Sequence, residues 1–71
     1  MNIAEIVKTT RKRKGLTMKQ LADKAGVTAQ TILNIEHEKH APSLEELLAV
    51  MSAMDYEIVF KPRYKGGYYG E

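Results

Sequence analysis

The sequence predicts a mainly α domain, four helices followed by one C-terminal β-strand, and three observations predict it. Thr17 to Glu36, TMKQLADKAGVTAQTILNIE, reads as two short helices joined by a glycine turn. Asn2, Thr17, Thr28 and Ser43 each stand where a side-chain oxygen can cap a helix start. After Asp55 the pattern changes from helical spacing to alternation, in Tyr56, Ile58 and Phe60.

The first helix starts at Asn2, with Glu5 completing a capping box. Ile3, Ile6, Val7 and Thr10 form its apolar stripe, and Gly15 ends it after a cationic run, Arg11 to Lys14. Thr17 caps the second helix with Gln20 at the box position, Leu21 and Ala25 face inward, and Gly26 stops it. A small Ala22 stands where two helices must approach closely. Thr28 caps the third helix, which runs to about His37 and turns Val27, Ile32 and Ile35 inward. Ala41-Pro42-Ser43 breaks the chain. Ser43 and Glu46 form another box, and Leu44, Leu47, Leu48, Met51 and Met54 stripe the fourth helix.

A lone strand at 56–63 has no partner in such a chain, and its free edge would invite aggregation. Pairing with a second copy about a two-fold axis resolves this, through Tyr56, Ile58, Val59 and Phe60. A fifth short helix or a loose tail is the alternative. The expected organisation is a helical domain over 1–55, a dimerising strand over 56–63 and a flexible tail over 64–71. The tail's Tyr64, Tyr68 and Tyr69 are read as filler or as stacking surface for a partner.

With 71 residues the chain suits one small domain. It contains no cysteine, so neither disulfides nor thiolate metal sites can staple it. His37 and His40 fall short of the about four ligands of a structural zinc site. No stretch approaches the about 20 apolar residues of a membrane span, so a cytoplasmic location is the default. No nucleophile–base pair, glycine-rich phosphate loop or paired carboxylates argue for an enzyme, and no cofactor is implied.

Charge is segregated. Residues 1–35 hold seven Lys/Arg against two acids, a net +5, and 36–57 hold one Lys against six acids, a net −5. Residues 58–71 carry a net +2. Such a molecule can lay one side on a polyanion and hold the other away. The bland alternative is a solvated helix end, since cations there gain about 0.3–1 kcal/mol regardless.

The outer face of the third helix points to double-stranded DNA. It presents Thr28, Ala29, Gln30, Leu33, Asn34 and His37, without a charge until its end. Gln and Asn can bond an adenine edge bidentately, and Ala29 offers a methyl to a thymine methyl. Thr17, Thr28 and Thr31, with the amides of the helix starts, can bind phosphates.

Residues 3–54 resemble the lambda-repressor-like (Cro/C1, XRE) helix-turn-helix domains in the order, spacing and number of helices. The resemblance implies base contacts from Thr28, Ala29, Gln30 and Asn34, with Leu33 and His37 beside them. It implies phosphate contacts from Thr17, Met18, Lys19, Lys39 and His40, to which the residue chemistry adds Thr31 and His37. It also implies a structural ion pair between Arg11 and Glu36. Three features depart from the family pattern. Met18 replaces a bracing Gln, His37-Glu38-Lys39 replaces Asn-Gly-Lys, and a strand replaces the fifth helix. The strand makes the chain similar to antitoxins of HipB type, which act as dimeric repressors and partner a kinase toxin of HipA type. A lone regulator of a phage or mobile element is the alternative, and an interaction module that has lost DNA binding is a further one.

Overall fold

The computed structural model describes residues 2–63. Four helices follow one another: α1 (Ile3–Arg13), α2 (Met18–Ala25), α3 (Ala29–Glu36) and α4 (Leu44–Ala53). Each start is capped. Asn2, Thr17, Thr28 and Ser43 accept from the backbone N–H of Glu5, Gln20, Thr31 and Glu46. At Thr17 and Ser43 the Gln20 and Glu46 side chains reach back to complete capping boxes.

Each helix also stops in the same way. A left-handed residue follows the last turn, at Gly15, Gly26, Glu38 and Asp55, with φ of 71°, 75°, 58° and 66°. The next N–H then returns to a carbonyl five residues earlier. Leu16 donates to Arg11, Val27 to Ala22, Lys39 to Asn34 and Tyr56 to Met51, over 2.8–3.1 Å.

The core joins all four helices. Val7, Leu21, Ala22, Ile32, Ile35, Val50, Met51 and Met54 form one buried cluster. Full burial of each larger side chain contributes about 1.5–3 kcal/mol. α2 lies against both α3 and α4, and α1 against α3. Ala22, 1% exposed, is small enough to let the helices meet.

The buried stripe of α4 differs from the expected one. Leu44 and Leu48 stay 52% and 40% exposed, while Val50 is fully buried. Leu44-Leu47-Leu48-Met51 and Leu47-Val50-Met51-Met54 both have helical spacing, and packing against α2 selects the second. In α1, likewise, Ala4, Val7, Thr10 and Arg11 are buried and Ile3 is exposed.

The expected strand is absent: among the described residues, 56–63 form neither strand nor helix. A strand exists only through ladder bonds to a neighbour, and this single chain supplies none. Ile58 instead packs against the core cluster, while Val59 and Phe60 stay exposed. The tail assigned to 64–71 lies outside the described residues.

Candidate nucleic-acid interface

The turn between α2 and α3 is made at Gly26. Gly26 adopts φ 75°, and a Cβ built there would meet nothing within 4 Å. Backbone conformation rather than space therefore selects glycine. Leu21 and Ala22 from α2 and Ile32 and Ile35 from α3 close the joint beneath the turn.

α3 buries Ile32, Ile35 and Glu36 and turns its other side outward. Thr28, Ala29 and Gln30 are exposed, and Thr31, Leu33 and Asn34 are half-buried. Thr28 Oγ1 accepts from the Thr31 N–H at 3.1 Å and lies 3.0 Å from Thr31 Oγ1. These two hydroxyls bond each other, and one of them keeps its hydrogen for an outside acceptor. Gln30 Nε2 donates to Asn34 Oδ1 at 3.0 Å, one turn further on. The face offers amides, hydroxyls and a methyl, with no formal charge.

Cations and imidazoles flank it. Thr17, Lys19, His37, Lys39 and His40 are all exposed. Thr17 is engaged in its capping box, and Lys19 lies 3.6 Å from Asp23 on the same helix. An exposed pair of that kind contributes about 0.3–0.5 kcal/mol and releases the lysine readily. Met18 is half-buried and packs against the core, so it offers no polar brace to α3. Glu38 sits at the left-handed position after α3, and its Oε2 accepts from Asn2 Nδ2 at 3.1 Å. That bond ties the start of α1 to the loop following α3, a link that sequence spacing did not reveal.

Arg11 and Glu36 meet as a bidentate pair. Arg11 Nε donates to Glu36 Oε2 at 2.7 Å and Nη2 donates to Oε1 at 3.0 Å. Arg11 Nη1 donates to the Leu16 carbonyl at 2.9 Å. The Glu36 side chain is 1% exposed. The Glu36 hydrogen bond, reinforced by its charge, raises the Arg11 pKa against the opposing effect of burial. The pair pins the end of α1 to the end of α3, below the outward face.

The cationic run is largely engaged within the protein. Arg13 Nη1 donates to Tyr56 Oη at 3.1 Å, and Lys14 Nζ stands 5.8 Å above the Tyr56 ring. Lys14 also lies 3.8 Å from Asp55. Together with Arg11, three of the four cations therefore face protein groups. The sequence reading missed this clasp on Tyr56, since only a tyrosine just past α4 hinted at it. Of the remaining residues assigned to pairing between copies, Ile58 is half-buried, whereas Val59 and Phe60 are 64% and 74% exposed. Among the described residues no group of three or more His, Cys, Asp or Glu could hold a metal ion. No described helix is long and apolar enough to cross a membrane.

Comparison with known proteins gives this arrangement a context. The profile of the helix-turn-helix family matches residues 7–61. An immunity repressor protein of Bacillus phage phi105 is 34% identical over 58 residues, spanning 82% of this chain and 40% of that protein. An uncharacterized HTH-type transcriptional regulator of Methanothermobacter thermautotrophicus is 44% identical over 39 residues, 55% of this chain and 56% of its own length. Among solved structures, a chain of a SinR protein/SinI protein complex superposes with a TM-score of 0.72 at 34% identity. That match covers 78% of this chain and 54% of that one. The chain therefore spans only about half the length of these relatives, or less.

Proposed function

The chain belongs to the helix-turn-helix family, in its lambda-repressor-like (XRE) form, and from that premise we propose that it is a dimeric, sequence-specific DNA-binding transcriptional repressor. The observation that carries this reading is the outer face of α3, which holds Ala29, Gln30, Leu33 and Asn34 outward on a helix fixed from beneath. In this reading Thr28, Ala29, Gln30, Leu33 and Asn34 form the surface that enters the major groove against the bases, with Gln30 reading a base edge. Thr17, Met18, Lys19, Thr31, His37, Lys39 and His40 lie along the phosphates, Met18 through its backbone N–H. The molecule acts by occupancy, as a binding protein in the cytoplasm rather than an enzyme.

Two copies would place two α3 helices in successive major grooves about 34 Å apart, so the operator is an inverted repeat. The exposed Val59 and Phe60, with Leu44 and Leu48, supply apolar surface for association. Light scattering should give twice the chain mass for the full protein and the monomer mass for a truncation ending at Asp55. A truncation that stays dimeric would move the interface to α4.

Two kinds of repressor fit. A HipB-type repressor, with a HipA-type kinase as partner, requires a C-terminal strand, and 56–63 form none in the single chain. Similarity to a phage immunity repressor favours a lone phage-type regulator instead.

Binding to a selected operator tests the reading. Log affinity should fall with log salt at about −0.9 per phosphate neutralised. Gln30→Ala should lose about 1–3 kcal/mol of discrimination at one base pair, while Lys39→Ala should weaken all duplexes alike. Equal weakening of every duplex by both variants would remove Gln30 from the readers, and indifference to duplex DNA would sink the proposal.

A further inference from the structure

We propose that Asn34 is a positioning residue for Gln30, so that the two amides read one base pair as a single unit. The inference rests on the DNA-binding reading above and deepens it. On an exposed helix face, glutamine keeps several side-chain rotamers, and fixing one is unfavourable. In this protein the Gln30 side chain is already held, because its Nε2 donates to Asn34 Oδ1 at 3.0 Å. Asn34 is itself half-buried, whereas Gln30 is exposed, and the shorter Asn34 side chain has fewer rotamers to lose than Gln30.

The hydrogen-bond inventory permits both tasks at once. A primary amide carries two N–H hydrogens and a carbonyl oxygen. Gln30 can commit the hydrogen trans to Oε1 to Asn34 and keep the cis hydrogen beside Oε1 for a base. That remaining donor and acceptor match adenine N7 and N6–H₂. Among the described residues, Asn34 is the side chain bonded to the Gln30 amide. Met18, at the start of α2, is apolar and packs against the core. Thr28 and Thr31 are bonded to each other. The helix therefore supplies internally, one turn away, the restraint that its neighbour cannot provide.

The two roles for Asn34 make different predictions. An independent reader would specify its own base pair, and its loss would add to the loss of Gln30. A positioning residue would act at the Gln30 base pair alone. The experiment selects preferred duplexes from a random pool with the full chain, then measures binding to every single-base-pair variant. The wild type, Gln30→Ala, Asn34→Ala and the double variant are compared. Asn34→Ala should relax discrimination at the same base pair as Gln30→Ala, about tenfold, within the range for a bidentate contact. The double variant should discriminate no worse than Gln30→Ala. Asn34→Asp keeps an acceptor for Gln30 Nε2, so it should restore discrimination at that base pair even where overall affinity falls.

Loss of discrimination at a different base pair, additive effects or failure of Asn34→Asp to rescue would each overturn the brace while leaving the regulator reading standing. Selection of no preferred duplex by the wild type would overturn both. Circular dichroism of each variant separates a readout effect from loss of the helix.

Discussion

Glu36→Ala is expected to destabilise the protein by about 3–5 kcal/mol, because it leaves the Arg11 guanidinium buried without its carboxylate. The Leu16 carbonyl would remain as one partner for Arg11, which is too little for a buried charge. In a domain this small, a loss of about 1 kcal/mol lowers Tm by roughly 4–8 °C, so thermal unfolding should shift well beyond 10 °C. Replacing both partners with apolar residues of similar volume should be far milder, since an uncompensated charge dominates the single change. Arg11→Lys should behave more like a loss than a conservative change, because lysine cannot present the fork that meets both carboxylate oxygens. A raised arginine pKa means that Arg11 contributes stability below its ordinary pKa, and that this is lost only as pH rises through the higher folded value. Arg11 should therefore impose no pH dependence between about pH 5 and 9. Glu36→Ala with an unchanged Tm would show that the pair is not closed off from water.

Ile32→Ala should cost about 2–5 kcal/mol, through lost burial and the cavity left beneath α3. Domains below about 70–80 residues rarely hold more than 3–5 kcal/mol of stability from their core, so this variant, like Glu36→Ala, should be largely unfolded at 37 °C and is compared in the cold. Leu33→Ala, one residue along on the half-buried side, should lose much less. Urea midpoints for the two variants measure the difference. Similar midpoints would mean that α3 is not anchored through Ile32.

The helices were legible in the sequence because their ends are chemically marked. Four side-chain caps mark where α1 to α4 begin, and the glycines at 15 and 26 mark where α1 and α2 end. Leu21, Ile32 and Ile35 were likewise legible as core, since only one face of each short helix is apolar. α4 was harder. Its leucines and methionines surround much of the helix, so spacing alone left two stripes, and contact with α2 chose between them.

Alternation at 56–60 reads as a strand, yet strand formation depends on a partner that the sequence of one chain does not supply. The candidate site divides in the same way. Residue types and motif spacing pointed to the outer face of α3. The Gln30–Asn34 bond follows the rule that residues four apart are neighbours on a helix, whereas the Asn2–Glu38 bond and the Tyr56 clasp depend on side-chain directions that no spacing rule encodes.

The left-handed stops of the four helices also bear on how quickly the molecule forms. Each stop is closed by a bond between residues five apart, and each start by a bond between residues three apart. Such bonds need almost no loop closure, so every helix carries its own nucleation and termination signals before any distant partner arrives. The chain should therefore search few arrangements and fold on the microsecond-to-millisecond scale of small helical domains.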